Sequence, residues 1–167
     1  MSAARKLLIL SGIALAVWGM GWGLAYAVFF EHQVLDAMGG QITTGFVGAA
    51  QRNLPAAHAA LATYAHSEFN YVRQVDVHSH WIGLAMVLIV LGIVLDRVNL
   101  DARLRWWLAL MLAVGSAVFP LGVTLQTLMA GPLPLALAAV GAGLVIAGMA
   151  VAAWGFARAP RPAGGAY

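Results

Sequence analysis

Five histidines carry most of the ligand chemistry in this chain: His32, His58, His66, His78 and His80. Four acids, Glu31, Asp36, Glu68 and Asp76, fall in the same stretch. Neutral imidazole ligates iron, copper and zinc, and its ordinary pKa lies near neutrality. The chain has no cysteine, which excludes disulfides, iron–sulfur clusters and thiolate-bound zinc. Histidine is therefore the main ligand on offer. No Gly-x-Ser-x-Gly, His-Glu-x-x-His or P-loop is present to support an alternative enzyme chemistry.

Spacing limits how these residues can act together. On a helix His78 and His80 are separated by about 200° of rotation, so they face nearly opposite ways. Asp76, four residues before His80, shares its side and can orient one ring nitrogen while leaving the other free. His66 and His80 would share a side of an unbroken helix but stand about 21 Å apart along it. A site shared with His66 therefore requires a break in that helix. The residues expected to hold a cofactor are His78 and His80, with His32 and His66 as partners and Asp76 orienting. For copper or zinc the candidates are His78, His80, His58 and His66. Interfacial histidines bonded only to headgroups, to Asp76 or to a neighbouring carbonyl remain the plain alternative.

The elements that must position them are membrane helices. Of the 167 residues, 62% are hydrophobic and 9% charged. Soluble domains average roughly 45–50% and about 25%. This excludes an ordinary soluble globule, a disordered chain and a nucleic-acid binder, and the formal net charge is only +3. A bilayer crossing needs about 20 apolar residues. Such runs are expected at 7–30, 77–96, 106–130 and 133–156. Backbone groups in lipid must be satisfied within the segment, so these runs are helices. The expected fold is all-α, a four-helix integral membrane bundle forming one domain over 1–167. A partly helical external segment, 31–76, joins the first two crossings.

The first run could serve as a signal peptide, with Arg5-Lys6 before it and Ala25-Tyr26-Ala27 as a cleavage-like site. Its length exceeds the 7–15 residues usual for such a segment, so retention as a membrane helix is expected. Placing the N-terminus in the cytoplasm puts Arg5, Lys6, Arg97, Arg103, Arg105, Arg158 and Arg161 inside and only Arg52 and Arg73 outside. Both termini are then cytoplasmic, in a bacterial inner membrane. Within the external segment, Asp36–Thr44 carries Gly39-Gly40 and reads as loop. Asn53 reads as a helix cap with Pro55 in the first turn. From there a helix either continues into the second crossing or breaks near Ser67–Asn70. The tail from Ala159 reads as frayed.

Counted from Asp96, His80 and His78 stand about 24 and 27 Å along the second crossing, just inside the outer boundary of a core about 30 Å thick. Ionisable groups at that depth need partners and are functional candidates. Gly19, Gly21 and Gly23 in the first crossing, Pro120 in the third and Gly141 and Gly143 in the fourth come to about the same level. They read either as room for a flat cofactor or as small-residue helix packing.

The stretch His78-Ser79-His80-Trp81-Ile82-Gly83 opens a long aliphatic helix, and Phe119-Pro120-Leu121-Gly122 follows in the next one. Over roughly residues 75–156 this resembles small four-helix membrane proteins related to part of the haem–copper oxidase catalytic subunit. The resemblance implies that His78 or His80 is an axial ligand to haem b, and that a second ligand is His32, His58, His66 or a residue of another chain. The further membrane histidines of the oxidases are missing, so oxygen reduction by this chain alone is not implied. The expected role is electron transfer near the outer membrane face, with a quinol or an external redox protein as the exchange partner. Two other readings fit the same residues. One is a non-catalytic accessory subunit of a larger membrane redox complex or homo-oligomer. The other is an external copper- or zinc-binding delivery protein. An electron-transfer or accessory subunit fits better than a stand-alone enzyme.

Overall fold

In a computed structural model the chain is described over residues 1–158; Arg161 and the tail expected to fray lie outside the described residues. No strand occurs among the described residues. The helices are α1 (Ala3–Phe29), α2 (Glu31–Ala50), α3 (Leu54–Val94), α4 (Ala102–Leu125) and α5 (Pro132–Ala157), with a short 3-10 turn, Leu95–Arg97, after α3. Four segments are long and apolar enough to cross a membrane: Ala3–Phe29, Leu54–Arg97, Ala102–Leu125 and Pro132–Ala157. Their apolar surfaces suit contact with a lipid bilayer.

The chain divides into two compact units, Gly19–Ser79 and the remainder, Met1–Trp18 with His80 onward. In the second of these, Leu8, Leu88, Leu95, Leu108 and Leu112 form a closed aliphatic core. Asp96 accepts a hydrogen bond from the Ser2 hydroxyl and pairs with Arg5 at 3.4 Å and Arg105 at 3.7 Å. The Asp101 carboxylate caps α4 by accepting from the Leu104 amide at 2.7 Å. Pro120 lies inside α4 and is fully buried. Helices α4 and α5 approach backbone to backbone: a Cβ on Gly122 would fall on Ala138, and one on Gly141 would fall on Phe119. The glycine reading as packing therefore holds for Gly141. Gly21 and Gly143 differ, because a side chain there would meet nothing within 4 Å. Helix α4 ends five residues before the expected boundary at 130. The chain turns through Gln126–Leu128, and Gly131 at φ +116° leads into α5 with Pro132 at its start.

The Gly19–Ser79 unit corrects the expected loop at 36–44. Those residues lie in the middle of α2. The reason is a seven-residue pattern hidden by the glycines. The only residues of α2 that are not exposed are Glu31, Val34, Met38, Gln41, Gly45 and Gly48, at alternating steps of three and four. That spacing is the seam of a paired helix. The partner seam is on α3, where Ala57, Ala60, Tyr64, Ser67, Tyr71, Gln74 and His78 follow the same rule. A Cβ on Gly48 would lie 3.0 Å from the Ala57 amide nitrogen, and Gln41 donates to the Ser67 hydroxyl at 3.2 Å. Met38, the one methionine near the glycine pair, is buried in this seam.

Helix α3 begins at the expected place: Asn53 accepts from the Ala56 amide at 3.2 Å, and Pro55 occupies the first turn. It then runs unbroken for 41 residues, about 60 Å, roughly twice the hydrocarbon thickness. No break occurs at Ser67–Asn70. Gly39 and Gly40 touch nothing that a side chain would displace. Helical glycine costs about 1 kcal/mol relative to alanine. Gly39→Ala and Gly40→Ala are each expected to stabilise the chain by up to that amount, as a raised unfolding midpoint in detergent. Nothing in the structure explains why glycine stands at these two positions.

Candidate functional site

Three polar contacts of the Gly19–Ser79 unit line up where the C-terminal part of α1 and the start of α2 meet α3. Along α3 the seam residues Tyr71, Gln74 and His78 fall on successive turns. Each has a partner on α1 or at the start of α2. The Tyr71 hydroxyl donates to the Glu31 carboxylate at 3.0 Å, and the Trp22 indole donates to the Gln74 amide oxygen at 3.2 Å. One turn further on, His78 Nδ1 lies 2.9 Å from the Gly19 carbonyl oxygen.

That last contact selects the tautomer of a neutral ring. A carbonyl oxygen can only accept, so Nδ1 must donate. In the neutral imidazole Nε2 then carries the lone pair. The contact is possible because of Gly23. A Cβ on Gly23 would fall on the Nδ1 and Cε1 atoms of His78. The ring therefore lies against a bare patch of α1 and is half-buried there. An imidazole with Nδ1–H tied to a backbone carbonyl and Nε2 left as a donor of electrons is the usual state of a metal-ligating histidine.

The remaining expected residues lie elsewhere. His80 belongs to the other unit and packs its ring against Phe119 of α4, with centroids 4.8 Å apart. His32 is exposed on the first turn of α2 and sits 3.3 Å from Asp36. His66 is exposed and shares a hydrogen bond of 3.3 Å with the Asn70 amide, one turn along the same helix. His58 is exposed near the start of α3. No hydrogen bond or ion pair to Asp76 is found among the described residues. Among those residues no three His, Cys, Asp or Glu side chains gather as a metal-holding group. Because α3 is unbroken, the break that a site shared with His66 requires is absent.

A further aromatic layer lies next to His78. A cavity of about 280 Å3 opens between the end of α1, the start of α2 and α3. Trp22, Tyr26, Phe30 and Tyr71 wall it, with Asn70 and Gln74 presenting side-chain amides. The Tyr26 ring lies 6.3 Å from Phe30 and 6.5 Å from Tyr71. The sequence carries a signal for this layer: Trp22, Tyr26 and Phe30 recur every fourth residue, which puts them on one side of a helix. Trp154 stacks under the Arg158 guanidinium at 3.8 Å. Thr124 bonds back to the Pro120 carbonyl at 2.9 Å.

No family model, no curated protein and no solved structure matches this chain.

Proposed function

We propose that this is an integral membrane electron-transfer protein in which His78 is an axial ligand to haem b, or to another imidazole-bound metal, near the outer membrane face. The observation that carries this is the His78 Nδ1 to Gly19 carbonyl contact at 2.9 Å, which in the neutral ring gives Nε2 the lone pair. The fit is to one ligand. His58 and His66 are on distant turns of the same helix, and His32 is exposed beside Asp36. A second ligand would come from a residue of another chain, which makes a homo-oligomer or a larger membrane redox complex part of the proposal. A bound haem would supply one-electron chemistry. The chain's own part is to hold the imidazole, set its tautomer through Gly19 and exclude bulk from its side through Gly23. The basic residues Arg5, Lys6, Arg97, Arg103, Arg105 and Arg158 favour cytoplasmic termini in a bacterial inner membrane, so His78 faces the outer side.

The test is the absorption spectrum and metal content of the purified full chain. A haem band, or bound metal at up to one equivalent per pair of chains, is expected in the intact protein. It should be lost in His78→Ala and kept in His58→Ala, whose histidine is exposed far along α3.

A second reading rests on a different observation. The helical hairpin of α2 and the first half of α3 leaves large apolar residues outside its single seam: Phe46 is 74% exposed, Leu61 54% and Phe69 44%. Surface of this kind fits an accessory subunit held against a larger complex. The same purification separates the two. A colourless, metal-free chain that co-purifies at fixed ratio with a larger membrane complex would favour the accessory role.

A further inference from the structure

We infer that the cavity above His78 is a binding site for the head ring of a membrane-dissolved quinone or quinol. This deepens the electron-transfer reading by naming its exchange partner, and it rests on that reading for its purpose but not for its site. Four aromatic side chains, Trp22, Tyr26, Phe30 and Tyr71, wall one space of about 280 Å3. That is just below the roughly 300–1,000 Å3 typical of drug-sized ligand sites, enough for one substituted ring. Aromatic walls favour a flat ligand through stacking. At the same space Asn70 keeps a second amide hydrogen beyond the one shared with His66, and the Tyr71 oxygen, while donating to Glu31, can still accept from a ring hydroxyl.

Charge decides against a phospholipid headgroup. No Lys or Arg lines the cavity, and the Glu31 carboxylate is held on the hydroxyl of its wall residue Tyr71. A phosphate would be repelled there, whereas a neutral ring with carbonyl or hydroxyl oxygens is not. The route of access is set by α1. Trp22 and Ala25 lie within its membrane-length apolar segment, so the ligand arrives from the bilayer and must be lipid-soluble. A quinone meets each of these conditions.

The experiment uses the full chain in detergent and a short-tailed 1,4-benzoquinone as probe. Quinones quench indole fluorescence, and Trp22 is on the wall. Saturable quenching is expected, with the Trp22 share missing in Trp22→Phe. Ala25 also lines the cavity, so Ala25→Phe should fill it and weaken binding at least tenfold. Asn70→Leu removes an amide from the wall, along with its exposed bond to His66, and provides the same test should Ala25→Phe fail to fold. Quenching that never saturates, or that is equal in the intact chain and both variants, reports partition into the detergent and overturns the proposal. So does retention of a phospholipid at this site that the quinone cannot displace. His78→Ala separates the two readings: it should lose any haem or metal signal while keeping the quinone affinity.

Discussion

Gly23→Ala is expected to abolish cofactor binding nearly as completely as His78→Ala, although it adds one methyl group to a different helix. The added Cβ would occupy the space of the His78 ring atoms Nδ1 and Cε1. The ring would have to rotate away, losing its bond to the Gly19 carbonyl and the tautomer that bond sets. Alanine is otherwise the better helix former, by about 1 kcal/mol. A loss of binding without loss of helix content would therefore trace to the imidazole. Gly21→Ala is the matched control. It lies two residues away on the same helix, faces open space, and should leave the spectrum unchanged. Metal content and absorption of the two variants, measured side by side, check this. Equal retention in both would show that ring placement against α1 does not matter.

The second large effect concerns the scaffold. Gly141→Leu should separate α4 from α5, because a Cβ at this position would fall on the Phe119 backbone. Overpacking of a tight core costs about 1–3 kcal/mol, occasionally more. Backbone has no alternative rotamer to adopt, so the upper end of that range is expected, as a large drop in the unfolding midpoint in mixed detergent. Gly143→Leu, two residues on, faces open space and should shift stability within about 0.5 kcal/mol. If both leucines cost the same, the close α4–α5 approach is not a determinant of the fold.

These pairs also show which parts of the molecule could be read from residue types alone. The four membrane-length helices were legible, because twenty apolar residues without charge have one stable form in lipid. The start of α3 was legible in Asn53 and Pro55, whose local chemistry is strong. Helix α2 was not. Its Gly39-Gly40 pair argues for a loop on propensity, and the opposing signal is a faint repeat of Val34, Met38, Gln41, Gly45 and Gly48. That repeat has meaning only once α3 offers Ala57, Ala60 and Ser67 to match it, which is tertiary packing overriding local preference. Likewise, Gly19 and Gly23 could be placed near the level of the histidines by counting residues. That they receive His78 rather than His80 depends on how α1 and α3 are rotated about their axes, which no spacing along one helix reveals.

The central claim is that His78 acts as a ligand through Nε2 and not merely as a strut between α1 and α3. The most direct measurement is the absorption spectrum of His78→Gly with and without added imidazole, beside the intact chain. The variant keeps the space and loses the tether, so a free imidazole can enter and replace the missing ligand. The expected result is a colourless variant whose haem or metal spectrum returns with added imidazole to that of the intact protein. An intact chain without any such spectrum, or a His78→Gly variant that keeps it unchanged, would contradict the account.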